Sequence, residues 1–221
     1  MSRQEIFAKV KAALQSRDGD GRRVVAEARI TAPPTHPRPA RAAVSGTNAL
    51  ADFKRHLENV SAVFEAVAAP EDVPGTIAAF VKANYPDETV THGRDPWLAA
   101  LPWQRASQLK RQEWKPGPPP RIGLSRAVAA IAETGTLVLS SGPENPASLN
   151  YLPEVHIVVV EAANLKASME AGLAAARQSP GPAGMPRTLA LVSGASRTAD
   201  VGGKLVAGAH GPKKLLVILV G

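Results

Sequence analysis

Apolar residues gather along this chain in short runs that do not alternate with polar ones. Leu215 to Val220 is six apolar residues in a row, and Val155 to Val160 is broken only by His156. Such runs, rich in Val, Ile and Leu, predict strands covered on both faces, as in a parallel sheet. Further strands are predicted at 61–68, 88–91, 135–140 and 189–192, and residues 122–125 open a second block. Between them the spacing turns helical. Leu50, Phe53 and Leu57 share a face within 47–57. Val73, Ile77, Phe80 and Val81 follow Pro70, which suits a first turn. Helices are also predicted at 126–133 and at 164–178, where Leu165, Met169 and Leu173 line up. Alternating strands and helices predict an α/β domain with a mostly parallel sheet flanked by helices.

Two stretches stand outside this alternation. Residues 1–15 read as an amphipathic helix, with Ile6, Phe7, Val10 and Leu14 on the apolar side. That face suits docking on the domain or on a second copy of the chain. Residues 15–44 show no period and carry Pro33-Pro34 and Pro37-Arg38-Pro39, which predicts an extended linker. The organisation expected is therefore a helix and linker over 1–45 and one domain over 46–221.

Residues 93–121 also lack a period. They hold all three tryptophans, Trp97, Trp103 and Trp114, among Arg94, Arg105, Lys110, Arg111 and Lys115. Aromatics between cations can stack single-stranded nucleic acid. They also fill gaps and pack on arginine. The favoured reading is an irregular lid or subunit contact.

Composition narrows the functions. The chain has 221 residues and no cysteine. That excludes disulfides, thiol nucleophiles and cysteine ligation of zinc or iron–sulfur clusters. No apolar stretch reaches the ~18 residues of a membrane helix, and the start lacks a signal-peptide pattern. A cytoplasmic protein is expected. The net charge is +7, but the cations are scattered among acids, which argues against specific nucleic-acid binding and leaves an anionic small-molecule ligand. The five histidines are dispersed, so no metal site is predicted and the cofactor is left open.

Candidate chemistry sits in three loops. After the 189–192 strand come Ser193, Gly194, Ser196, Arg197, Thr198 and Asp200, then His210-Gly211. Glycine lets backbone approach a guest, successive N–H groups can form an anion nest, and Arg197 offers a fork for carboxylate or phosphate. His210 has glycine beside it, and Asp200 can orient it or cap a helix. Glu133, Thr134, Gly135 and Thr136 lie at the entry to another strand, where Glu133 can serve as acid, base or nucleophile, or simply bond nearby N–H groups. Asn145, Ser148 and Asn150 can bind a polar ligand or cap their own turn. His156, heading a buried strand, reads as structural. The open-sheet rule places such a cleft at the carboxyl ends of the strands.

Two blocks carry a family resemblance. SGASRTADV followed by GAHGPKKLLVILV, and AIAETGTLVLSS followed by Asn145, Ser148-Leu149, Leu152-Pro153 and His156-Ile157, resemble the LutC/YkgG proteins of the LUD-domain group. The resemblance runs from about Ala51 onward. Gly202 stands where the family usually carries an acidic residue. The resemblance implies a NagB/RpiA/CoA-transferase-like fold. It also implies an accessory role in oxidising L-lactate to pyruvate beside two iron–sulfur partner proteins, so that cells grow on lactate. The alternative is an autonomous transferase or ligase acting on a CoA- or phosphate-bearing anion.

Overall fold

The computed structural model describes residues 2–15, 19–32, 47–178, 185–199 and 205–221. Contacts divide the chain into two units, Met1–Pro39 and Ala40–Gly221, each described here by itself.

The first unit holds α1 (Arg3–Gln15) and α2 (Gly19–Thr31). Ser2 and Glu5 start α1 with a reciprocal capping box. The Glu5 N–H donates to Ser2 Oγ at 3.2 Å, and the Ser2 nitrogen donates to Glu5 Oε2 at 2.7 Å. α2 corrects the prediction of an extended linker over 15–44. Its apolar residues Val24 and Val25 are adjacent rather than spaced, so no helical period shows. Ala26, Ala28 and the arginines favour the helix, and the exposed Arg23–Glu27 pair at 3.0 Å adds a few tenths of a kcal/mol. Residues 33–46 lie outside the described set.

The second unit is built on a six-stranded, all-parallel sheet. Its members are β1 (Val63–Val67), β2 (Val90–His92), β3 (Arg111–Glu113), β4 (Ile122–Arg126), β7 (Val155–Glu161) and β12 (Lys214–Val220). The order is β1-β12-β7-β4-β2-β3. This is the mostly parallel, helix-flanked α/β sheet that the apolar runs predict. Along β7 and β12 alternate residues serve different cores. Ile157, Val159, Leu216 and Ile218 meet α4 (Val73–Asn84) through Val73, Ile77 and Val81. Val158, Val160, Leu215, Val217 and Leu219 meet Phe53 and Leu57 of α3 (Thr47–Asn59). Both faces are covered, which is why the sequence shows no alternation.

The second face also carries a four-stranded mixed sheet. Its order is β8 (Leu165–Lys166), β5 (Ala129–Ile131), β6 (Thr136–Ser140) and β9 (Leu189–Val192). α7 (Met169–Gln178) covers its outer side, with Ala129, Ile131, Val138 and Ala176 buried between.

Three predictions are corrected here. Residues 126–133 are not helical: β5 buries Ala130 toward one core and Ala129 and Ile131 toward another. A run of small apolar residues suits either period, and burial on two faces selects the strand. The 164–178 helix begins only at Met169, after β8. The 93–121 region is also more ordered than predicted. It holds α5 (Pro96–Ala99) and a 3-10 turn at Trp103–Ala106, and it contributes edge strand β3. Trp103 is buried and donates through Nε1 to Leu98 O at 2.7 Å, with the Arg111 guanidinium over its ring. No helix among the described residues is long and apolar enough to cross a membrane.

Candidate functional site

The turn between β5 and β6 holds Glu133, Thr134 and Gly135. Gly135 has φ 64°, and a Cβ there would come within 2.5 Å of His56 Cβ. The Glu133 N–H donates to Ala167 O at 3.0 Å, and its carboxylate accepts from the Met169 N–H, the first of α7, at 3.3 Å. Thr134 Oγ1 lies 2.7 Å from Thr136 Oγ1, which lies 2.7 Å from Ser193 Oγ. Two of the predicted loops are thus joined through hydroxyls.

The loop after β9 is closed by backbone bonds. Gly194 has φ 134° and packs on Val60, which a Cβ would meet at 2.6 Å. Ser196 donates to Pro212 O at 2.8 Å, accepts from the Gly208 N–H at 2.9 Å, and its Oγ accepts from the His210 N–H at 3.3 Å. Gly211 sits against Ser196. Arg197 and Thr198 lie on β10 (Arg197–Ala199), paired with β11 (Leu205–Ala207). The side chains of Arg197 and His210 are exposed. Asp200 and Gly202 lie outside the described residues, so the pairing of Asp200 with His210 does too.

This site is not where the open-sheet rule predicts. Lys213 donates to Glu154 O at 2.8 Å, just before β12 and β7 begin, and His56 and Val60 precede β1. The loop therefore lies against the amino ends of the parallel strands. The reason is that β9 pairs antiparallel with β6 in the mixed sheet rather than joining β12.

Asn145 and Ser148 do not share this place. Asn145 Nδ2 donates to Ser140 O at 3.1 Å, at the far end of β6 from Thr136. Four residue steps along β6 separate the two ends by about 13 Å. The single cleft predicted from three loops is split. A buried polar layer joins β4, β7 and the short helical turn at Ser148–Tyr151. Ser125 Oγ donates to Asn150 Oδ1 at 3.3 Å and lies 3.0 Å from His156 Nε2. Burial pushes His156 down to about 3, so the ring is neutral. Ser140 Oγ, Asn145 Oδ1, Ser148 Oγ, Asn150 Nδ2 and His156 Nδ1 are buried without a hydrogen-bond partner among the described residues.

The carboxyl edge of β2, β3 and β4 carries features absent from the predicted site. Arg126 binds Asp95 at 2.9 Å and Glu161 at 3.3 Å, beneath the Trp97 ring. A cleft of about 630 Å³ opens between Gly93–Arg94, Glu113–Pro116 and the turn at 142–148. Gly93-Arg94-Asp95 directly after a strand was the available sequence signal. The lack of periodicity over 93–121 hid it.

Taken together, the doubly covered parallel sheet and the appended mixed sheet, joined through the hydroxyls of the 133–136 and 193–198 loops, define a two-sheet α/β domain. The LUD domain family model matches residues 120–220, which include both loops. The chain is 30% identical to "Lactate utilization protein C" of Deinococcus radiodurans over 208 residues, 90% of this chain and 91% of that protein. It is 36% identical over 98 residues to an uncharacterized protein of Neisseria meningitidis serogroup B, spanning 44% of this chain and only 41% of that one. A crystal structure of a DUF162 family protein from Deinococcus radiodurans has the same fold. Its TM-score is 0.58 at 23% identity, covering 80% of this chain and 99% of that one. The chain belongs to the lactate utilization protein C family of LUD-domain proteins.

Proposed function

We propose that this protein takes part in lactate utilisation as an accessory subunit, oxidising L-lactate to pyruvate together with iron–sulfur partner proteins. The observation that carries this reading is the near end-to-end similarity to a lactate utilization protein C. The absence of cysteine supports it. Thiolate ligation of any cluster must come from another chain, so in a redox pathway the electrons are carried by a partner or by a bound small molecule. In this reading a small anion is held where the 133–136 turn meets the 193–198 loop. Arg197 supplies the charge, and Thr136, Ser193 and Ser196 supply polar contacts. The setting is the cytoplasm.

Deleting the gene should abolish growth on L-lactate and leave growth on glucose intact. Restoring the wild-type chain should rescue growth, while Arg197→Gln should rescue poorly at unchanged protein level. Undiminished growth of the deletion strain on lactate would overturn the reading. The alternative of an autonomous transferase or ligase using Glu133 as its acid or nucleophile draws less support. The Glu133 carboxylate is engaged by the start of α7.

A further inference from the structure

The cleft at the carboxyl edge of β2 and β3 lies apart from the joined loops, and its chemistry is different. One wall is Trp114 and Pro116, the other Pro143, Pro146 and Ala147. These faces are apolar. The rim is charged by Arg94, Glu113 and Lys115. Glu113 holds Arg94 through its Nε at 2.5 Å, and the terminal guanidinium nitrogens have no ion-pair partner among the described residues. Lys115 is exposed and has no ion-pair partner among the described residues. Among the lining residues two cations stand against one carboxylate, with Glu144 in the neighbouring turn.

The walls are fixed by backbone bonds. Arg94 donates to Pro143 O at 3.0 Å, and Trp114 donates to His92 O at 2.8 Å. Gly93 leaves no space for a Cβ, because Glu144 O occupies it. The cleft is therefore formed before any ligand arrives, which lowers the cost of binding. Its volume of about 630 Å³ equals that of roughly twenty water molecules and falls within the range of small-molecule sites. A three-carbon acid would leave most of it wet. Ser148 lines the cleft. The position is also where doubly wound sheets hold their ligands.

We propose that this cleft binds an aromatic anion, a flat ring bearing a phosphate or carboxylate group. The ring lies against Trp114 and the prolines. The anionic group meets Arg94 and Lys115. This assignment does not depend on the role in lactate utilisation, and its test reads binding rather than growth.

The test titrates the full chain with adenosine 5′-monophosphate and with nicotinate, followed by tryptophan fluorescence and by thermal shift. At least one probe should quench saturably and raise Tm, and neutral adenosine should bind at least about tenfold more weakly than its monophosphate. Arg94→Ala and Lys115→Ala, both at exposed positions, should each weaken the bound probe about tenfold. Trp114→Phe should remove the quench and keep the thermal shift. No saturable binding of either probe at millimolar concentration would overturn the proposal. So would adenosine binding as well as its monophosphate, or unchanged affinity in both basic-residue variants.

Discussion

Thr136 and Ser193 are 57 positions apart in the chain, yet their hydroxyl oxygens lie 2.7 Å from each other. Thr136 is 1% exposed and also meets Thr134 Oγ1. A half-buried hydroxyl pair of this kind is worth about 1 kcal/mol net. Thr136→Val keeps the volume and removes both bonds. It should lower Tm by about 2–4 °C in a domain of this size. Ser193→Ala should cost less, because Ser193 is exposed. The double variant should cost less than the sum, since both changes remove the same bond. Fully additive losses in a thermal-melt cycle would show that the two hydroxyls do not couple.

Gly135 and Gly194 are fixed by space as well as by backbone. Both have φ in the region that side chains avoid, and both abut another segment, His56 and Val60 respectively. Gly135→Ala should destabilise by roughly 1–3 kcal/mol from strain alone, with more from the 2.5 Å approach to His56 Cβ. Gly142, with open space around it, is the control: Gly142→Ala should melt within about 0.5 kcal/mol of wild type. Chemical denaturation of the three proteins decides this, and equal stabilities would remove the packing argument.

His156 gives the protein an acid sensitivity with a definite sign. Its folded value is pushed down to about 3 by burial, against 6.5 when exposed. Above pH ~6.5 both states are neutral and the residue adds no pH dependence. Below that the unfolded chain takes up a proton that the folded chain refuses, so stability falls by about 1.4 kcal/mol per pH unit until about pH 3. Urea unfolding between pH 7 and pH 4 should show this slope in the wild type. The slope should shrink by about one proton in His156→Gln, which can still bond Ser125. Parallel curves for the two proteins would mean the ring is charged or solvated in the fold.

The parallel sheet was legible because β7 and β12 carry their signal in composition: Val, Ile and Leu without alternation can only be buried on both faces. β5 was not, because Ala127 to Ala132 is apolar throughout, and Val128 and Ile131 are spaced as on a helix. α2 was hidden for the opposite reason, its apolar residues being adjacent. The meeting of Thr136 with Ser193 follows from pairing β6 with β9, a long-range choice that no local pattern encodes. The same pairing explains why Asn145 ended at the other end of β6. Loop chemistry names residues that can bind, while topology decides which of them meet.

Glu133 shows how a residue with catalytic chemistry can be used for structure. α7 begins with Ser168 Oγ accepting from the Ala171 N–H at 3.3 Å, as an N-cap does. The Met169 N–H is one of the donors a helix start leaves open, and Glu133 Oε2 takes it from across the turn at 3.3 Å. A carboxylate there also faces the positive end of the helix. Glutamine keeps the acceptor and loses only the charge, so Glu133→Gln should cost about 0.3–1 kcal/mol and should still rescue growth on lactate in the deletion strain. Glu133→Ala leaves a shielded N–H unpaired and should cost about 1–3 kcal/mol, with rescue falling in step with protein level. If Glu133→Gln instead melts like wild type, accumulates normally and fails to rescue, the carboxylate is required for chemistry, and the helix bond is only what positions it.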